Sequence, residues 1–243
     1  MISNSLFNKR AFKYLLNAVN KVSTCIFLTL TFTSCQGQAA LTLDQSRVII
    51  SAQNDSGVVK INNPTDRDYL IQSWITDNDN NAQEELFVQP PLLKIKAHHK
   101  VALHIETINA ALAQQPNEQL YRLNVKEIPR VDKNQGSAQL MLVMLTKVKV
   151  LYRPDTVPAE MSKDYLKLKW KRANGKLLVT NPTPYYITFN KVWEGTDKSH
   201  PLKADMIAPG ATLTINHYHG ASDIHYNIIN DYGDNSETVN ISL

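Results

Sequence analysis

The chain has only two cysteines, Cys25 and Cys35, both within its first forty residues. Downstream of them no thiol remains for a disulfide, a thiolate metal site or a cysteine nucleophile. Glycine is scarce, with eight in 243 residues, and none clusters into a phosphate-cradling loop. There is no G-x-S-x-G elbow, and the scattered Asp and Glu form no acid–base pair readable from spacing. These absences argue against an enzyme. An excess of one charge is also missing where it would count. Four of the 26 Lys+Arg (Lys9, Arg10, Lys13, Lys21) precede residue 40, where no acid occurs, leaving 22 cations against 22 acids. The basic whole-chain balance therefore gives no ground for nucleic-acid binding.

What stands at the N-terminus reads as an export signal. The basic residues lead into an apolar run over 22–32, broken only by Ser and Thr, which is shorter than the ~20 residues of a membrane span. Gly37-Gln38-Ala39 then gives a small-x-small cleavage pattern. The expectation is a signal peptide over residues 1–39 and a mature chain starting at Ala40. Lipidation at Cys35 is the alternative, weakened because Phe32-Thr33-Ser34 before it lacks the usual Leu. Removing 39 of 243 residues leaves 204, enough for two domains of about 100 residues each.

The rest alternates. Stretches 41–51, 57–61, 69–76, 87–89 and 100–106 read as short strands punctuated by Asn62-Asn63-Pro64 and Pro90-Pro91, with one helical turn possible over 109–115. Residues 155–158 form a Pro-bounded connector. A second series follows over 165–170, 176–180, 185–193, 211–215, 224–230 and 239–242, with hairpin turns at Asn174-Gly175 and Pro209-Gly210. The expected fold class is all-β, with two immunoglobulin-like β-sandwich domains over 40–154 and 159–243 joined by the 155–158 linker. No repeat is legible between the halves.

One stretch breaks the pattern. Residues 120–125 alternate, but 140–145 are apolar on both faces for six residues before Thr146, Lys147 and Lys149 restore polarity. One small domain covers one face of a strand. The other face calls for a second surface, which points to another polypeptide.

Tyr121–Pro129 (YRLNVKEIP) and residues 146–154 (TKVKVLYRP) resemble the signature of periplasmic pilus chaperones of the chaperone–usher pathway, the PapD type. Leu43-Asp44-Gln45-Ser46-Arg47, Val88-Gln89-Pro90-Pro91-Leu92, Asn181-Pro182-Thr183-Pro184-Tyr185-Tyr186 and Ile229-Asn230-Asp231-Tyr232-Gly233 extend the likeness across the chain beyond residue 40. The resemblance implies two sandwiches set at an angle around an interdomain cleft. It implies a periplasmic chaperone that binds, folds and stabilises fimbrial subunits by donor-strand complementation and delivers them to an outer-membrane usher. It assigns Arg47 and Lys149 to the anchor for the subunit's C-terminal carboxylate. It gives Leu140, Leu142 and Met144 to the donor strand, and Glu118, Arg153 and Asp231 to an interdomain ionic bridge. By parity, Met141, Val143 and Leu145 are then expected in the first domain's core. Lys149 lies on the opposite parity from Leu140, so a bulge or twist must intervene if both sets contact the subunit. As solvated loop charges, the bridge residues would add only about 0–1 kcal/mol per pair and mainly set the domain angle. The eight-residue loop over 130–137 resembles the short-loop branch of the family. Absence of a disulfide departs from many relatives, as does His98-His99 where a Pro-Gly-type turn is usual. Such an apolar strand edge also leaves self-association of the free protein open.

Two features invite other readings. Asn181–Tyr186 suits a framework turn with buried tyrosine rings and bonded hydroxyls. His217, His219 and His225 invite a metal test, but no acidic or thiol partner completes a ligand spacing, and no cofactor is expected. The alternatives to a chaperone are a two-domain adhesive surface protein and, in a different class, a periplasmic metal-binding protein or hydrolase.

Overall fold

Strands form almost wherever apolar and polar side chains alternate. The computed structural model describes residues 41–54, 56–129, 143–196 and 198–243. The leader, Leu140, Met141, Leu142 and the 130–137 loop lie outside the described residues.

In the first domain, β1 (Thr42–Leu43), β3 (Ser56–Asn62), β7 (Lys100–Thr107) and β5 (Leu86–Gln89) make one sheet, in that order. The other sheet runs β2 (Arg47–Ser51), β9 (Met144–Arg153), β8 (Gln119–Pro129), β4 (Tyr69–Asp77) and β6 (Leu92–Ile95). β3 shows the cause plainly: Val59 and Ile61 are fully buried while Val58 and Lys60 are exposed, which is the two-residue period. Leu103, Leu123 and Val150 meet them from the other strands, each such burial stabilising the fold by about 1.5–3 kcal/mol. The two sheets close tightly at Gly57, where a Cβ would stand 2.6 Å from a Val48 methyl. Residues 110–114 form a 3-10 turn capped by the Asn109 side chain.

In the second domain, β10 (Lys169–Ala173), β11 (Lys176–Thr180) and β14 (Thr212–Ile215) face β13 (Met206–Ile207), β12 (Ile187–Glu194), β15 (Asp223–Ile229) and β16 (Val239–Ser242). Asn174 and Gly175 both take positive φ, as a two-residue I′ hairpin turn requires. The second core, built on Leu177, Val179, Ile187 and Tyr226, is separate from the first. The strand expected at 165–170 starts later. Residues 164–167 are a 3-10 turn that buries Tyr165, and β10 begins at Lys169. The halves do share one local device. Asn63-Pro64-Thr65 and Asn181-Pro182-Thr183 each fold so that the Asn side chain accepts from the Thr N–H and hydroxyl while its amide binds loop carbonyls.

β9 corrects the expected assignment of faces. Val148, Val150 and Tyr152 enter the core, so among the described residues the core parity is that of Met144. Val143 and Leu145, expected in the core, are 44% and 47% exposed, and Met144 is 51% exposed. All three side chains at this end of β9 are therefore exposed, whichever face they share. Among the described residues no bulge interrupts the pairing of β9 with β8. β8 and β9 stay in one register from Gln119↔Tyr152 to Glu127↔Met144.

Candidate functional site

β9 has different neighbours along its length. β8 pairs with it from Met144 to Tyr152, whereas β2 pairs in parallel only from Arg47↔Lys149 to Ser51↔Arg153. Beyond Lys149, toward Met144, the second edge of β9 has no strand partner among the described residues. Unpaired edge N–H and C=O groups are a template for another chain. Arg47 and Lys149 stand side by side where that ladder ends.

Both cations are withdrawn from water. Arg47 is buried, its Nη1 donates 3.0 Å to the Ile229 carbonyl, and its Nε–H has no partner. Lys149 Nζ donates 3.2 Å to Thr188 Oγ1. Neither has a carboxylate within ion-pair distance among the described residues. Burial lowers the pKa of each. Asp231 and Glu118 partly offset this for Arg47, and Asp205 for Lys149, while each cation is also disfavoured by a neighbouring one. Buried N–H groups are almost always bonded. Two partly desolvated cations with spare donors suit an anionic, fork-shaped ligand such as a carboxylate.

The other end of the same ladder is satisfied. Arg153 Nε donates 2.8 Å to Glu118 Oε1, and its Nη1 and Nη2 bind Asp231 at 2.8 and 2.7 Å. Nη1 also donates to the Ala159 carbonyl, and the guanidinium lies 4.9 Å from the Tyr185 ring centroid. The Tyr186 N–H donates 2.7 Å to the second Glu118 oxygen. Burial opposes the Arg153 charge, but the bonds to Asp231 and the charge of Glu118 outweigh it and hold the guanidinium above its ordinary pKa. Burial pushes the Glu118 carboxyl up, with Arg153 and the Tyr186 N–H pulling against it. Arg153 and Glu118 are each 1% exposed. The expectation of a solvated pair worth little is overturned, because segments from both domains close over these charges.

The sequence-derived residues are thus brought together as two sets, Arg47 with Lys149 and Glu118 with Arg153 and Asp231. Met144 lies farther along β9. Sequence reasoning missed Thr188 and the Ile229 carbonyl, whose roles rest on position and not residue type. It also gave Asn181–Tyr186 a framework role alone. The Tyr185 hydroxyl is indeed bonded, to Pro158 and Glu160 carbonyls, yet the motif also supplies the Tyr186 N–H to the bridge. The histidines go elsewhere. His219 pairs with Glu194, and His225 stacks on Trp193 and bonds Asn240.

Comparison with known proteins gives a consistent picture. Residues 40–158 match the pili and flagellar-assembly chaperone PapD N-terminal domain, and 163–239 the pili assembly chaperone PapD C-terminal domain. The chain is 35% identical to the chaperone protein FocC of Escherichia coli over 84% of this chain and 90% of that one. It is 32% identical to the chaperone protein FimC of Escherichia coli K12, over 82% of each. Among solved structures, the periplasmic chaperone SfaE matches at 30% identity and TM-score 0.70, over 84% of this chain and all of that one. A Salmonella enterica structure of SafA pilin with the SafB chaperone matches at 26% identity and TM-score 0.75, over 84% and 96%.

Proposed function

The chain belongs to the PapD family of pilus-assembly chaperones, and from that premise we propose how it holds its client. Its role is that of a chaperone in pilus assembly, and the family is not a class of enzymes. The client is a pilus subunit whose sandwich lacks a strand. Its C-terminal carboxylate enters the site of Arg47 and Lys149 and takes the donors those cations leave unused. Its adjoining strand then pairs with the open edge of β9. Leu140, Leu142 and Met144 fill the client's groove; of these, Met144 shares the parity by which Val148 and Val150 enter the core.

The observation that carries this reading is the end of the β2–β9 ladder at Arg47↔Lys149, with two cations that have no carboxylate partner among the described residues at the root of an open edge. The Glu118–Arg153–Asp231 bridge fixes the angle between domains 40–154 and 159–243 across the 155–158 linker. Export by the 1–39 leader, cleaved after Ala39, delivers the chaperone to the periplasm, where it passes clients to an outer-membrane usher. Without a client, exposed Val143, Met144 and Leu145 favour self-association.

Co-expression with a subunit tests the reading. The wild type should recover a 1:1 complex, and Arg47→Ala and Lys149→Ala should recover almost none. Normal recovery from both variants would refute the anchor. Stoichiometric metal or glycan binding without subunit would favour the alternatives.

A further inference from the structure

The second domain separates its charges. Residues 163–176 carry Lys163, Lys167, Lys169, Lys171, Arg172 and Lys176 against one acid, Asp164, whereas residues 177–243 carry three cations and seven acids. Strands β10, β11 and β14 hold four cations and no acid. Lys169 and Lys171 are two apart on β10, and the pairing Ala173↔Lys176 sets Lys176 on that same face. Leu178, Thr180, Thr212 and Thr214 complete it. The opposite face, with Trp170, Leu177 and Val179, packs into the core.

Lysines on an edge strand often serve only to block edge-to-edge pairing. That accounts for Lys169 and Lys171 on β10. It does not account for Lys176 on the inner strand β11, nor for Lys163 and Lys167 beside the sheet. Lys163, Lys169, Lys171 and Lys176 are exposed and have no ion pair among the described residues. Outside residues 163–176, the chain beyond residue 40 carries 16 cations against 21 acids.

We propose that this lysine–threonine face docks the chaperone on an anionic lipid bilayer. The face presents clustered positive charge to a plane of phosphates, which juxtamembrane basic clusters bind by the same attraction. Single-stranded nucleic acid is a poorer match, since it needs aromatic platforms and the tryptophan of β10 is turned inward. The client site stays accessible, because Thr188 and Ile229 belong to the opposite sheet, on β12 and β15. A docked chaperone would hold its capture site toward the aqueous side.

The test is sedimentation of the exported protein with vesicles of equimolar phosphatidylglycerol and phosphatidylcholine, and with phosphatidylcholine alone. Binding is expected only to the anionic vesicles and should vanish near 1 M salt, where the screening length is about 3 Å. The triple variant Lys169→Gln, Lys171→Gln, Lys176→Gln should bind on the order of 100-fold more weakly, about fivefold per lysine. A control with the same net charge, Lys60→Gln, Lys96→Gln, Lys100→Gln in the first domain, should bind like wild type. Equal loss in both variants would overturn the proposal in favour of net charge. No binding by wild type would overturn it outright, as would binding to heparin without binding to vesicles.

Discussion

Arg153 and Arg47 stand at opposite ends of one five-residue parallel ladder, and both are buried, at 1% and 7% exposure. Arg153 has two carboxylates, a carbonyl and an aromatic ring. Arg47 has one carbonyl, a neighbouring lysine and an orphaned N–H. The difference shows how burial alone misleads. A buried charge that is fully bonded holds a structure together, while one left under-bonded beside a like charge costs the free protein stability and keeps that cost available to a ligand.

The largest expected effect breaks the satisfied end. Arg153→Ala strands two carboxylates and should destabilise the protein by about 3–5 kcal/mol, read as a large fall in thermal midpoint. If the midpoint held, the bridge would be structurally idle. Breaking the unsatisfied end should do the reverse. Lys149→Met should leave the midpoint unchanged or raised, yet weaken subunit binding by about 2–5 kcal/mol, measurable by titration with subunit or its C-terminal peptide. A destabilised Lys149→Met would mean the cation is already paid for within the free protein.

The pH response sharpens the same contrast. Burial holds the Lys149 pKa below its ordinary value. Stability from this group is complete above the unfolded pKa and is lost as pH falls through the folded one. Client capture needs the charged amine, so it should be strongest below the free-protein pKa and weaken as pH rises through it. Free-protein stability and carboxylate binding should therefore move in opposite directions over that window, and Lys149→Met should abolish both slopes. The smallest expected effect concerns β9. Val143→Glu, at an exposed position, should shift stability by no more than about 0.5 kcal/mol, whereas Val148→Glu, buried in the first core, should unfold the first domain. A folded Met144→Glu that fails to hold subunit would separate capture from folding on the core-parity face.

Sequence by itself determined most of the strands, though not β6, β13 or the start of β10, because a two-residue period is local and each stretch carries its own record of which side chains avoid water. It also determined that residues 140–145 have an apolar surplus, and the motif residues themselves, since these are matters of type and spacing. It could not determine which face of β9 meets the core. Parity gives two sets, and only the packing of Val148, Val150 and Tyr152 into the first core chooses between them. It could not rank the charges either. Glu118, Arg153 and Asp231 look like solvated residues until segments far apart in the chain close over them, and Arg47 looks no different from Arg153. What separates the two arginines is the company that tertiary structure brings to each, because a charge's energy depends on surrounding dipoles, counter-charges and water that its own sequence neighbours do not supply.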